Sequence, residues 1–412
     1  MPPCRARSVG CRTAGACLAI GALLAGSDPA GAVDWQILYR LSETLRVSDN
    51  IDLRPDPEGA AFSSHTGAGL DIVARTPTGE WGITGDIGHL VFFGEGAPED
   101  RSRTTVAARS DLLKTTRSTD FNLNAHFSMA PATGTVLLDP LLLEPELPDP
   151  ELTDIGLELV NFDRIRYGAG GGFVHRWTRV DELVVSARAD RVDFTEDAAS
   201  ATPHTFAELS GIWTRRLTRR IDGRARASAG YFRSEDDSES RSLIYNLTVG
   251  SNVRATRRLT VDANAGVAII DTRATDTTVA GTGSRESDVS VGFIGDFSLT
   301  YTPRRDTSMT LALSQHVSPG SLGELRTAQS ARGAATYLIN ERSSLNLVGA
   351  FTSSTATANG GDSRQAWVVS PSYTHALTRS WAVTLGYRWL KSDDAHSNTA
   401  FLTLSHNGTI LP

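Results

Sequence analysis

The feature that most constrains this chain is a phrase near its C-terminal end. A polar turn, Leu377-Thr378-Arg379-Ser380, leads into Trp381, Val383, Leu385, Tyr387 and Trp389, which alternate with Ala382, Thr384, Gly386 and Arg388. A period of two over this length belongs to a β-strand, because successive side chains of a strand point to opposite faces. One face here is apolar and carries aromatic residues at both ends, whereas the other is small, polar and holds an arginine. Such a strand fits between a bilayer and a wet lumen.

The phrase echoes at Leu217-Thr218-Arg219-Arg220, Ala255-Thr256-Arg257-Arg258, Pro303-Arg304-Arg305-Asp306 and Ile339-Asn340-Glu341-Arg342. The interval is about 35 to 48 residues, one hairpin with its turns. From Asp34 onward the chain parses into about 18 strands joined alternately by short turns and longer loops. Early runs cover 35–41, 68–74, 81–93, 104–114 and 121–129, with a polar loop over 48–61 and turns at 77–79 and 116–118. Leu243, Tyr245, Leu247 and Val249 oppose Asn246, Thr248, Gly250 and Asn252, and Val289, Val291, Phe293, Phe297, Leu299 and Tyr301 oppose Ser290, Gly292, Asp296, Ser298 and Thr300. The last strand is expected over 398–406, with a tail after it. The pattern as a whole predicts an all-β chain, a transmembrane antiparallel up-and-down β-barrel.

One stretch breaks the rhythm. Residues 131–162 contain Pro140, Pro145, Pro148 and Pro150 among Asp139, Glu144, Glu146, Asp149, Glu151 and Asp154. Proline cannot donate to a strand ladder, so this stretch reads as a long acidic external loop, with a segment folded into the lumen as the lesser alternative.

Composition supports export. Residues 1–32 read as a signal peptide: Arg5, Arg7 and Arg12 precede an apolar run over 17–25, and Ala30-Gly31-Ala32 offers small residues for cleavage. The mature barrel is then 33–412. All three cysteines, Cys4, Cys11 and Cys17, fall in the leader, as suits an envelope protein stabilised by strand closure rather than disulfides. No later run of about 18 apolar residues exists, so strands must do any membrane crossing. The net charge of −7 falls to about −9 without the leader, which does not suit nucleic-acid binding.

The alternation assigns faces. An aromatic girdle is expected from Trp381, Tyr387, Trp389 and Tyr301, and the lumen-facing candidates are Asn122, Asn124, Asn246, Asn252, Asp262, Asn264, Asp296 and Arg388. Amides, carboxylates and arginines in such rows can exchange hydrogen bonds with a hydrated solute; alternatively they pair with one another along the wall. Turns carry Arg215, Arg216, Arg219, Arg220, Arg257, Arg258, Arg304 and Arg305, while long loops carry Glu235, Asp236, Asp237, Glu239, Asp393 and Asp394, so one end of the barrel is basic and the other acidic.

No catalytic or metal constellation stands out. His89, His126, His175, His204, His316, His375, His396 and His406 are scattered without paired-ligand spacing. The Gly168–Gly172 run lacks the helix a phosphate loop needs. Ser363, after Gly361 and Asp362, reads as a turn residue before it reads as a lipolytic nucleophile. No catalytic residue, metal or cofactor is expected.

The stretch Leu41-Ser42-Glu43-Thr44-Leu45-Arg46-Val47-Ser48-Asp49-Asn50-Ile51-Asp52-Leu53 resembles the opening of β-barrel porins associated with exopolysaccharide and PEP-CTERM systems, and the Leu-Thr-x-Arg turns are similar to theirs. The resemblance implies a Gram-negative outer-membrane barrel linked to polysaccharide secretion and transfers no catalytic residues. The expected function is a porin-like channel or the outer-membrane component of exopolysaccharide export, with a non-conducting structural or adhesion barrel and a lipid-modifying enzyme as rival classes. Expected partners are outer-membrane lipid and lipopolysaccharide, with polysaccharide or small hydrophilic solutes in the lumen.

Overall fold

The computed structural model describes residues 33–51, 53–57, 59–97, 102–131, 163–195, 202–235, 240–275, 285–319, 325–356, 363–393 and 395–411. The leader, most of the proline-rich stretch 131–162, and the loop residues Asp236, Asp237, Glu239 and Asp394 lie outside them. Eighteen strands follow one another: β1 (Asp34–Ser48), β2 (Ala61–Thr76), β3 (Gly79–Gly94), β4 (Ser102–Thr115), β5 (Thr119–Pro131), β6 (Asp163–Arg176), β7 (Asp181–Phe194), β8 (His204–Arg216), β9 (Ile221–Ser234), β10 (Ser240–Arg254), β11 (Leu259–Thr275), β12 (Arg285–Arg304), β13 (Thr307–Pro319), β14 (Leu325–Asn340), β15 (Ser343–Ala356), β16 (Ser363–Ala376), β17 (Trp381–Ser392) and β18 (Ala395–Leu411). Each pairs antiparallel with its sequence neighbours, and β1 pairs with β18 to close the sheet. The last strand is longer than the alternation suggests: it continues past His406, with Thr409 opposite Leu38 and Leu411 opposite Ile37 across a bulge. Seam pairing extends it where its own apolar pattern has ended.

The Thr-Arg turns have a simple cause. Thr178 Oγ1 accepts from the backbone N–H groups of Val180 and Asp181 at 3.1 and 3.0 Å, Thr218 Oγ1 from Arg220 and Ile221 at 3.1 and 3.0 Å, and Thr378 Oγ1 from Ser380 and Trp381 at 3.2 and 3.0 Å. Thr256 serves Arg258 and Thr116 serves Thr119 in the same manner. A side-chain oxygen thus satisfies donors that a tight reversal takes out of the ladder. The turns at Thr116 and Thr178 belong to this set and extend the repeat toward the N-terminus. The echoes at Pro303 and Ile339 do not: Arg305-Asp306 and Glu341-Arg342 are two-residue turns, the latter with Arg342 N–H donating to Asn340 Oδ1 at 2.8 Å.

Exposed large apolar side chains ring the outer face. Leu45, Ile87, Leu123, Leu209, Leu247, Val249, Leu385 and Leu402 all point outward there, a belt that only lipid can cover. Trp381 and Trp389 flank it eight residues apart on β17, a rise of roughly 20 Å along the axis for a strand tilted by about 40°. At the turn end the girdle continues through the Trp35–Trp81 and Trp381–His406 ring contacts, centroids 6.4 and 4.4 Å apart. The described ends, Val33 and Leu411, and the turn arginines share this end, which short turns mark as periplasmic. Among the described residues no helix is long and apolar enough to cross a membrane, which says nothing against crossing by strands.

The best-buried side chains lie not between layers but on the inner face near the long-loop end. Phe232, Ile244 and Ile270 form one cluster with Leu325, and Leu53, Val368, Leu390 and Ala395 form another. Leu53 comes from the loop after β1, the only described residue beside Asp393 that is not glycine and has positive φ, at 51°. Asn50 holds that loop inward: its Nδ2 donates to the carbonyls of Arg54 and His396 at 2.7 and 2.9 Å, and its Oδ1 accepts from Arg54 N–H at 2.9 Å.

Candidate functional site

For 18 strands about 4.8 Å apart and tilted by about 40°, the wall has a diameter of roughly 36 Å between backbone axes. Register then decides what lines it. On β1 to β3, Arg40 Nη2 donates to Asp71 Oδ1 at 3.3 Å and to Asp86 Oδ1 at 3.1 Å. On β5 to β9, His126 Nε2 lies 3.0 Å from Asp190 Oδ1, Arg166 Nη2 lies 3.4 Å from the same oxygen, and Arg188 and Arg226 reach Glu208 at 2.9 and 3.6 Å. The Arg188 guanidinium also sits 5.4 Å from the Phe206 ring centre, within cation–π range. On β9 to β12, Arg224 grips Asp262 at 2.7 and 3.1 Å, Asn252 Nδ2 donates to Asp262 Oδ2 at 2.9 Å, and Asn264 Nδ2 bridges Asp262 Oδ1 and Asp296 Oδ2 at 3.0 and 2.7 Å.

Three of these links skip a strand, and a glycine lets each one do so. Arg40 and Asp86 face each other across Gly69, His126 and Asp190 across Gly168, and Arg224 reaches the β11 carboxylate past Gly250. A Cβ at Gly69 would stand within 2.4 Å of Asp86 Oδ1, and one at Gly168 within 2.6 Å of Asp190 Oδ1. Of the glycine run that superficially resembles a phosphate loop, Gly168 is such an opening in the wall, across which opposite charges meet. This role was missed by sequence reasoning; the signal available was an inward glycine with opposite charges at the matching register positions on both flanking strands.

The remaining wall has a different chemistry. The inner faces of β13 to β18 carry hydroxyl and amide contacts: Ser314–Ser330 at 2.7 Å, Thr336 donating to Asn346 at 3.0 Å, Thr374–Thr384 at 3.0 Å, and Thr44–Thr403 at 3.0 Å across the closing seam. Arg332 and Arg388 stand on this sector by register, and among the described residues no Asp or Glu does. One side of the lumen is a zwitterionic ladder and the other a hydroxyl wall with arginines.

The residues singled out from sequence distribute accordingly. Asn252, Asp262, Asn264 and Asp296 come together in one ladder, and Asn246 Nδ2 donates to Ser228 Oγ at 3.1 Å. Asn122 and Asn124 stand on the inner face of β5 opposite Leu113 and Asp111, apart from that ladder. Arg388 is 7% exposed, on the inner face of β17 opposite Thr399. Tyr301, Trp381, Tyr387 and Trp389 face outward. Ser363 opens β16, and Gly361 and Asp362 lie outside the described residues. A serine–histidine contact does occur elsewhere, Ser343 Oγ to His375 Nδ1 at 2.9 Å, but Thr119 makes the same contact to His175 at 2.8 Å. Its recurrence at two strand ends with a threonine in place of serine marks it as turn architecture. Among the described residues no three His, Cys, Asp or Glu side chains gather as a metal-ligand set.

A closed antiparallel wall, apolar outside and polar inside, with the first and last strands beginning and ending at the short-turn end, defines an outer-membrane β-barrel of porin-like build. No family model matches the chain, and no curated protein matches it. Solved structures do. Pseudomonas aeruginosa OccK8 (OprE) is 12% identical with a TM-score of 0.46, covering 92% of this chain and 99% of that one. Acinetobacter baumannii OccAB3 is 11% identical with a TM-score of 0.45 over 92% and 100%, and the copper transporter OprC is 10% identical with a TM-score of 0.47 over 89% and 62%. Likeness at this level is one of barrel architecture alone.

Proposed function

We propose that the protein is a porin-like channel of the Gram-negative outer membrane for small hydrophilic solutes. The observation that carries this reading is the inner wall itself, a continuous surface of paired charges facing hydroxyls and arginines. Its groups are held in place by one another, so a hydrated solute exchanges hydrogen bonds with a preorganised surface. The inward-held Asn50 and Leu53 and the apolar clusters at the long-loop end narrow the entrance, which favours small solutes over a polymer. An exopolysaccharide export role rests on the resemblance of residues 41–53, of which 41–48 form the second half of β1 and Asn50 and Leu53 lie at the mouth.

Planar-bilayer recording tests the reading. Stable unitary conductance is expected, rising when Leu53→Ala removes the plug of side chain over Leu390 and Val368. A barrel that inserts, shows heat-modifiable mobility and yet passes no current, with or without Leu53→Ala, would instead be a structural or adhesion barrel.

A further inference from the structure

The apolar belt has an exception on the outer face of β1 to β4. Leu41 and Leu45 are 48% and 53% exposed on that face, and Glu43 stands between them on the same side of β1, because alternate residues share a face. Its depth follows from the seam. His406 is the ladder partner of both Trp381 and Leu41, while Asn398 pairs with Trp389 and donates its backbone N–H to Asp49 Oδ1 at 2.7 Å. The two girdle tryptophans thus bracket positions 41 to 49 of β1. Strand tilt over two strands lowers both marks by about 6 Å, or two to three residues, and Glu43 stays between them. Among the described residues no other Asp or Glu faces outward between those levels.

Other polar groups gather beside it on the outside of the wall. Ser64 and Thr66 of β2 donate to Glu43 Oε1 and Oε2 at 2.5 Å each, which leaves each oxygen a further lone pair. Thr66 is the ladder partner of both Glu43 and His89. The exposed His89 ring on β3 lies 3.4 Å from Thr104 Oγ1 and 3.3 Å from Ser102 Oγ on β4. Toward the turn end the same face is smooth, with Ala68, Gly85 and Ala108 on β2, β3 and β4, and a Cβ added at Gly85 meets nothing within 4 Å. An ionisable side chain at this depth faces protein or water rather than hydrocarbon. The aqueous lumen is on the other side of the wall, and lipid headgroups lie at the girdles rather than between them, so protein is left as its neighbour.

We propose that this sector is the contact face between two copies of the chain, related by a two-fold axis along the membrane normal that passes beside Thr66. The face is self-complementary, with a carboxylate on one side of β2 and an imidazole on the other. The axis sets Glu43 opposite His89 of the partner subunit and repeats the pair with the roles exchanged, as an isologous interface requires. Glu43 and His89 stand about 10 Å apart across β2 and about 6 Å apart in height, an offset that the two side chains span by reaching toward each other. The imidazole N–H then donates to a lone pair that Ser64 and Thr66 leave open, and the small residues let the two walls approach. This contact does not depend on what the lumen conducts.

All three cysteines precede residue 33, so single cysteines in the barrel of residues 33–412 can be read without background. In liposomes under mild oxidant, Thr66→Cys beside the axis should meet its own copy and give a covalent dimer on a non-reducing gel. Leu247→Cys, which faces outward on β10, should stay monomeric. Single-molecule photobleaching in a supported bilayer should count two copies for the unaltered barrel, with the dissociation constant raised at least tenfold in Glu43→Leu and in Gly85→Phe. Gly85 has open space on its outer side, so Gly85→Phe keeps the test decisive if Glu43→Leu does not fold; heat-modifiable mobility reports the intact barrel. A single copy in the unaltered protein, or Thr66→Cys cross-linking no faster than Leu247→Cys, overturns the proposal. So does a Glu43→Leu barrel that resists urea better than the unaltered one at unchanged copy number, since that is the result for a carboxylate facing lipid.

Discussion

The glycines inside the wall make opposite predictions for the same substitution. At Gly168 an added Cβ would stand 2.6 Å from the Ala189 carbonyl oxygen, 2.6 Å from Asp190 Oδ1 and 2.8 Å from His126 Cε1. The first neighbour is backbone and cannot swing away, so overpacking costs about 1–3 kcal/mol. Separating the partly exposed His126–Asp190 pair adds on the order of 1 kcal/mol. Against this, alanine restricts the unfolded chain by about 0.4–1 kcal/mol relative to glycine. Gly168→Ala should therefore destabilise the barrel by about 1–3 kcal/mol. At Gly82, also on the inner face, a Cβ meets nothing within 4 Å, so Gly82→Ala should be neutral or stabilising by up to about 1 kcal/mol. Urea unfolding of the reconstituted barrel, followed by tryptophan fluorescence, measures both from the shift in midpoint at constant slope. In a His126→Ala background the Gly168→Ala penalty should fall but not vanish, since the Ala189 carbonyl remains. If Gly168→Ala proves no less stable than Gly82→Ala, the glycine is not holding space for the charge pair and the reasoning fails.

Other consequences can be checked separately. Thr378→Val should cost about 1 kcal/mol by leaving the Ser380 and Trp381 N–H groups without their acceptor, and Thr218→Val should cost the same; a negligible loss at both would mean water replaces the hydroxyl freely. Glu208→Gln removes the carboxylate shared by Arg188 and Arg226, so the reversal potential in a salt gradient should move toward anion preference, with no change if these guanidiniums lie off the conducting path. Gly386→Ala would press a Cβ onto the Phe401 ring, and the resulting loss of about 1–3 kcal/mol should be largely recovered by Phe401→Leu; a loss that persists would place the strain in the backbone rather than in that ring.

Much of the architecture was legible because a membrane barrel writes its two solvents into alternate residues. Trp381 to Trp389 announces face, direction and girdle from one strand, and the polar triplet before it announces the turn. Less was legible where neighbouring strands, not neighbouring residues, determine the outcome. Asp262 and Asn264 read as lumen groups, but that Arg224 reaches Asp262 over Gly250 depends on the register of three strands. The extension of β18 past His406 depends likewise on its partner β1. Leu53 sits in a stretch that reads as an open polar loop, and its inward seat is set by Asn50 hydrogen bonds to residues distant in sequence.

The sequence by itself determined that the chain alternates, turns, closes without disulfides and presents an apolar belt outside a polar wall, because each of these is a local property repeated along one strand at a time. Only the tertiary structure decided which charges neutralise one another, which glycines make room for them, and which polar groups gather beside Glu43 on the outer face. The physical reason is that strand register and strand tilt are collective quantities. A shift of one residue between two strands would move every inward group to the lipid face, yet no single residue's identity states which partner it will meet.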